Sequence, residues 1–385
     1  MHHYPIVAFS HLRWNFVYQR PQHLLSRLAA RHPVFFVEEP EFLAGCEPHW
    51  ERSTPERNVT VFRPRTPSQA PGFHHEQLAA MLPLLPELRA EAGDEELVAW
   101  HYTPLALPLT ERLAPAAVVY DCMDELSLFQ GAPPELLERE AALIARADVM
   151  FTGGPSLFRA KRDRHSNVHC FPSSVDAAHF GRARPGRANR QAEPIDQAEL
   201  SRPRLGFYGV IDERFDLEVV EALADAHPEW QLVFVGPVVK IDSAVLPRRP
   251  NIHYLGQRSY EELPAYLAGW DVCLLPFAQN DATRFISPTK TLEYMAAERP
   301  IVSTPIADVA QPYGDLVYLG GSPAEFVAAC EAALGADQVE RARHVARMRA
   351  ILAGTSWDAT AGAMEKLMTE ALLRRRPDLH ERTFA

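Results

Sequence analysis

The sequence predicts an α/β protein of two domains, each built on a parallel sheet. Three observations carry that prediction. Short apolar runs recur along the chain and alternate with helical stretches of about ten to fifteen residues, the pattern of βαβ units. The chain has 385 residues, more than one hydrophobic core ordinarily serves. Polar clusters and glycines fall where the apolar runs end, and open α/β sheets bind ligands at the carboxyl ends of their strands.

In the first domain, residues 5–10 read as a buried strand. It runs into His11, Arg13, Trp14, Gln19 and Arg20, a set of donors and cations too rich for packing alone. The alternative is that Trp14, Phe16 and Tyr18 pack the loop and Arg20 caps a neighbour. No GxGxxG fingerprint follows this strand, which disfavours a nicotinamide or flavin enzyme. A helix follows, carrying Leu24, Leu25, Leu28 and Ala29 on one face. Residues 34–38 and 59–62 are further strands, and the tract through Pro64, Pro67 and Pro71 reads as a surface loop.

Residues 97–100 form a strand ending at His101, and residues 117–120 one ending at Asp121 and Asp124. His101 is a candidate acid or base, or else a histidine bonded to a neighbouring loop. Asp121 and Asp124 are candidate acceptor-side residues, or else helix caps. A helix over 135–147, a strand over 149–152 and a helix over 157–165 come next. That last helix carries Arg159, Lys161, Arg162 and Arg164, ordinarily a solvated face. Docking on anionic lipid is the minority alternative. Residues 168–176 read as the last strand and the turn leaving the domain, which spans 1–183. The proline- and charge-rich tract 184–203 reads as a linker.

The second domain spans 204–355. Strands near 204–209, 231–236 and 251–256 end on Gly209, Gly236 and Gly256, which let a ligand approach the backbone closely. Beyond them lie Arg214, a candidate phosphate ligand unless it pairs with Glu213 or Glu218, then Lys240 and Gln257. After a strand at 270–277, residues 284–304 read as loop, helix, turn and strand. Ser287 is expected as N-cap and Pro288 as the first helical residue, followed by Thr289. Lys290 in the first turn opposes the helix dipole, which an external anion explains better than helix stability does. Glu293 follows on the same side, where a ribose hydroxyl needs an acceptor. The alternative is a surface Lys–Glu pair. Residues 356–385 read as a last helix, capped by residues 356–358, with Arg374, Arg375 and Arg376 suiting its carboxyl end.

The run Ser287-Pro288-Thr289-Lys290, then Leu292-Glu293-Tyr294-Met295-Ala296-Ala297 and Pro300-Ile301-Val302, resembles the donor-binding segment of group 1 glycosyltransferases. Residues 9–28 resemble the opening of a subgroup associated with bacterial cell-surface polysaccharides. The resemblance implies the GT-B fold, two Rossmann-like domains facing each other across a cleft, with the terminal helix crossing back to the first. It also implies transfer of a sugar from a nucleoside-diphosphate donor, a UDP-sugar by the family's habit, to a saccharide or lipid-linked acceptor, with retention of configuration. Lys290, the helix N-terminus and Arg214 would neutralise the leaving diphosphate, Glu293 would hold the ribose, and the backbone after Gly256 would recognise the base. No metal or other cofactor is called for. Two positions depart from the family: Phe285 stands where a glutamate usually faces the sugar, and Glu298 where a glycine usually precedes the basic residue and proline. A sugar-nucleotide epimerase of the same fold is the runner-up; a non-catalytic glycan- or nucleotide-binding partner of a transferase complex is the alternative of a different class.

Composition narrows the rest. The apolar fraction of 47% and charged fraction of 23% are those of a globular enzyme. A net charge of −11 argues against broad nucleic-acid binding. The five cysteines are scattered, without a CxxC pair, and read as reduced thiols. Among the sixteen histidines, His74-His75-Glu76 is the nearest to a metal motif, yet it lacks HExxH spacing. No apolar run approaches the roughly 20 residues of a membrane span, and no export signal is evident, so the expected location is cytoplasmic, with peripheral contact at the inner membrane face as an adjunct.

Overall fold

The structure is a computed structural model describing residues 3–186 and 193–375. It divides into two compact units. The first takes in the chain up to Ser127, Gly131–Pro172 and the helix Trp357–Arg374; the second comprises Leu128–Gln130 and Ser173–Ser356. The second unit thus begins ahead of the boundary read at 183. Residues 187–192 of the expected linker, and Arg376, lie outside the described residues. The tract also holds a short helix, Ile195–Ala198, anchored by the buried Gln197, which accepts from Trp270 Nε1 at 2.8 Å.

The first unit carries strands β1 (Ile6–Phe9), β2 (Val34–Val37), β3 (Glu41–Phe42), β4 (His49–Glu56), β5 (Val59–Thr66), β6 (Val98–His101), β7 (Ala117–Cys122), β8 (Val149–Thr152) and β9 (Val168–Cys170). Their order is β3-β5-β2-β1-β6-β7-β8-β9, all parallel, with β4 antiparallel on β5. β1 sends alternate side chains to two cores. Ile6 and Ala8 pack with Leu24, Leu25 and the C-terminal helix, whereas Val7 and Phe9 pack with Phe62, Leu85 and Leu109. Covering both faces is what makes its sequence read as one continuous apolar run. The proline tract is a correction: Pro64 lies inside β5, opposite Trp50 of β4. β4 faces solvent along most of its length, so it has little apolar pattern to betray it.

The second unit is a parallel sheet of β10 (Arg204–Tyr208), β11 (Gln231–Val235), β12 (Ile252–Gly256), β13 (Val272–Leu275), β14 (Ile301–Ser303) and β15 (Tyr318–Leu319). The order is β12-β11-β10-β13-β14-β15. β10, where the order turns back on itself, is central, and its carboxyl end is the crevice such sheets offer a ligand.

Candidate active site

Three strand-end glycines line that crevice. Gly209 N donates to Val235 O at 2.9 Å and Gly236 N to Gly256 O at 2.8 Å, so the ends of β10, β11 and β12 are tied together. Gly209 and Gly236 have φ of 135° and 155°, reached without strain by glycine alone. A Cβ on Gly236 would overlap the carbonyl of Gly209. Overlap against backbone has no cheap relief, so Gly236→Ala is expected to cost roughly 2–4 kcal/mol of stability, read from the urea midpoint. A Cβ on Gly209 would instead strike the side chain of Lys290, lying 2.7 Å from its Nζ. The glycine is therefore the slot through which Lys290 reaches β10.

Lys290 opens the helix Lys290–Ala296. That start corrects the expected cap: residues 286–288 lie in no regular element, and Thr289, without a side-chain capping bond, precedes the helix. Long-range bonds override the local signal. Ser173 Oγ donates to Ser287 O at 3.3 Å and Thr289 Oγ1 donates to Ser173 Oγ at 3.1 Å. Lys290 is half-buried, and its Nζ lies 5.5 Å from the centroid of the Phe207 ring. No carboxylate lies within ion-pair distance of it among the described residues. Burial holds its pKa below the ordinary lysine value; the more distant Glu293 opposes that shift and Arg214 adds to it.

Glu293 is buried one turn on and accepts from the Tyr208 hydroxyl at 2.7 Å. Burial raises its pKa, against the opposing pull of Tyr208 and Lys290. The carboxylate is thus oriented by Tyr208, which sequence reasoning missed because it is one more apolar-run residue of β10. Tyr208→Phe should strand a buried acceptor, costing about 1–2 kcal/mol in stability and weakening donor binding severalfold, as melting and nucleotide titration would report.

Arg214 is held by neither Glu213 nor Glu218 but by Asp212, with Nη2 to Oδ2 at 2.7 Å and Nε to Oδ1 at 3.0 Å. Phe129 places its ring 5.3 Å from the Arg214 guanidinium and 5.7 Å from Lys240 Nζ. Sequence reasoning missed both Asp212 and Phe129, the latter because it lies far away in the chain. Lys240 and Gln257 are exposed. Phe285 is half-buried, with the Arg284 guanidinium 5.1 Å from its ring centroid. Glu298 takes the missing glycine's conformation, φ 57°, and accepts from Arg349 Nε at 2.8 Å.

The rim of the first unit is more closed than its composition suggests. Arg20 and Asp121 spend their charges on each other: Nη2 donates to Oδ1 at 2.8 Å and Nε to Oδ2 at 3.0 Å, both side chains being buried. Asp121 therefore presents no free carboxylate to an acceptor. His101 is 0% exposed, bonded to Thr110 Oγ1 at 2.8 Å and stacked on Phe9. Burial drives its pKa down to about 3, so it is a neutral core imidazole and not an accessible acid or base. Trp14 is buried edge-on against Phe36, and Arg13 pairs with Glu38 at 3.2 Å. Gln19 sits at the N-cap of the helix Arg20–Leu28; His11 and Asp124 are half-buried.

The four-cation helix is also corrected. Lys161 is buried against Glu125 and Glu140 at 2.5 and 2.6 Å, and Arg164 pairs with Glu140 at 2.7 Å. It does not present a four-charge face to lipid. No helix among the described residues is long and apolar enough to cross a membrane. The ligand atoms of His74, His75 and Glu76 lie within 4.8 Å of one another on the first unit. No other group of three such side chains stands that close among the described residues.

Residues 202–336, the span that contains the glycines, Lys290 and Glu293, match the family model of group 1 glycosyl transferases. A protein of Bacillus subtilis (strain 168), the teichuronic acid biosynthesis glycosyltransferase TuaH by its description, is 26% identical over 291 residues, covering 69% of this chain and 70% of its own. Among solved structures, sucrose-phosphate synthase from Thermosynechococcus elongatus aligns over 96% of this chain and 100% of its own, with a TM-score of 0.69 and 16% identity. The E. coli trehalose-6-phosphate protein bound with UDP-2-fluoro glucose aligns over 96% and 99%, with a TM-score of 0.68 and 13% identity. The sheet order, the glycine-lined crevice and these likenesses agree: the chain has the GT-B fold, and its residues 202–336 match the group 1 glycosyl transferases.

Proposed function

We propose that this protein is a group 1 glycosyltransferase that takes a hexose unit from a UDP-sugar and passes it, with retention, to a saccharide or lipid-linked acceptor in polysaccharide or glycoconjugate synthesis. The observation that carries the reading is Lys290: a half-buried ammonium, lodged in the Gly209 slot, with no carboxylate in ion-pair range among the described residues. Burial penalises its charge, and a diphosphate would repay that penalty. Glu293, steadied by Tyr208, is one helical turn away, as the ribose hydroxyls of the same ligand require.

In this reading Lys290 and Arg214 neutralise the diphosphate as the sugar–oxygen bond breaks, and the strand-end glycines let it approach the backbone. The protein's own cations supply that stabilisation, so no metal is assigned a part. Asp121 and His101 are not assigned as bases, since both are buried and engaged. The leaving phosphate takes the acceptor proton. UDP-glucose, UDP-galactose, UDP-N-acetylglucosamine and UDP-glucuronate, with GDP-glucose and dTDP-glucose beside them, each offered with a panel of glycosides, test it. Release of UDP with a product of unchanged anomeric coupling in the proton NMR spectrum is expected. Inverted coupling would refute retention, and turnover confined to GDP- or dTDP-sugars would refute the uridine assignment.

A further inference from the structure

We infer that the second unit carries a further ligand site, at the opposite end of its sheet from the donor crevice, for a small phosphate ester with an apolar body. Its walls meet at the amino ends of three strands: Pro203 precedes β10, Asp271 precedes β13 and Pro300 precedes β14. β10 is five residues long, so roughly 15 Å of strand separates this cavity from the crevice. The space enclosed is about 550 Å³, ample for a small organic phosphate.

The charges on its walls are unequally engaged. Arg202, Arg299 and Arg341 stand there with Asp271 and Glu298. Both carboxylates are already held by arginines. Asp271 Oδ1 accepts from Arg202 Nη1 at 2.5 Å, and Glu298 Oε1 lies 3.2 Å from Arg184 Nε and 2.8 Å from Arg349 Nε. Arg341 meets no carboxylate within ion-pair distance among the described residues. Its Nη2 donates to Leu334 O at 2.8 Å, a bond that fixes the guanidinium without neutralising it. In a chain of net charge −11, a guanidinium so placed at a cavity favours a phosphate, whose oxygens match its donors.

The remaining wall selects the body of the ligand. Pro300, Leu334, Val345 and Met348 offer apolar surface, and His344 packs edge-on to Tyr318 with ring centroids 5.6 Å apart. The Tyr318 hydroxyl is turned to Glu340, to which it donates at 2.7 Å, so the ring and not the hydroxyl is left for a ligand. Arg341, His344, Val345 and Met348 all belong to the helix Gln338–Leu352, at spacings that align them on one face. Arg343 of the same helix lies off that face and outside the walls. Cation and apolar surface thus stand side by side, and a ligand must bring both an anion and an apolar body to use them.

The test is calorimetric titration of the full chain, with UDP in excess to occupy the crevice, using 1-naphthyl phosphate and geranyl phosphate as probes. Saturable binding of one or both is expected, and the tighter of the two tells whether the body is a ring or a chain. UMP, glucose 6-phosphate and inorganic phosphate, which lack the apolar body, should bind at least about tenfold more weakly. Arg341→Glu should weaken the preferred ester by a further factor of roughly ten or more, and Val345→Trp, which fills the cavity, should abolish its binding. Arg343→Glu makes the same change of charge on the same helix and should leave the affinity within about twofold. Unchanged melting temperatures report that the two charge variants are folded. No saturable binding of either ester overturns the proposal, as does an Arg343→Glu chain weakened as much as Arg341→Glu. So does binding that Lys290→Met abolishes and Arg341→Glu leaves intact, which would place the ester in the donor crevice. A chain that binds no UDP strikes at the donor reading alone, and the esters are then titrated without it.

Discussion

Replacing Lys290 by methionine is expected to abolish stabilisation by UDP while leaving the ligand-free protein no less stable than wild type. The two halves of that expectation have one origin. Burial holds the ammonium's pKa below the ordinary lysine value, so the folded chain binds the proton less tightly than the unfolded chain does. Linkage then makes the charge a burden to the ligand-free fold: across the interval between the lowered and the ordinary value, stability rises with pH as the proton leaves. Methionine fills the Gly209 slot without a charge. In the complex, a charge-assisted bond to phosphate worth about 2–3 kcal/mol disappears, a loss of roughly 30- to 150-fold in affinity. Donor binding should likewise fall on the alkaline side earlier than an ordinary lysine would dictate. Calorimetric titration and melting curves for the two chains check both halves.

The second large effect concerns Arg20 and Asp121. Asp121→Ala should cost about 3–5 kcal/mol, because it leaves a buried guanidinium without its counter-charge. Arg20 Nη1 also donates to Phe171 O at 2.7 Å, so its loss loosens the end of β9 as well. The double variant Arg20→Met/Asp121→Leu removes both charges and should recover most of that loss. Urea midpoints separate the three chains. UDP binding retained in the double variant would fit a pair that holds the fold; a double variant as unstable as Asp121→Ala would contradict the accounting.

The contrast between the two units shows what a sequence discloses. In the second, each strand of the crevice is a short apolar run closed by a glycine, and Gly209, Gly236 and Gly256 stand where that pattern put them. Lys290 and Glu293 keep their relation because one helical turn separates them. That helix starts later than its local signal predicts because Ser173, over a hundred residues away, holds Ser287 and Thr289 in the preceding loop. In the first unit the polar residues were located correctly and their partners were not. Arg20 meets Asp121 across 101 residues, Arg13 meets Glu38 across 25, and nothing local distinguishes a donor aimed at a ligand from one aimed at a neighbour. His101 closes an apolar strand, and only the packing of Phe9 and Thr110 against it reveals that it faces inward. A carboxylate ending a buried strand, as Glu38 does, was the signal available and unused.

The donor site is tested most directly by thermal stabilisation of the full chain with UDP, GDP, dTDP, ADP and NAD, run beside Lys290→Met and Glu293→Ala. A ligand that binds only the folded state raises its melting temperature by mass action. The expected result is a shift with UDP that both variants lose. No shift with any nucleoside diphosphate, or equal shifts in all three chains, would contradict the placement of the donor at Lys290 and Glu293.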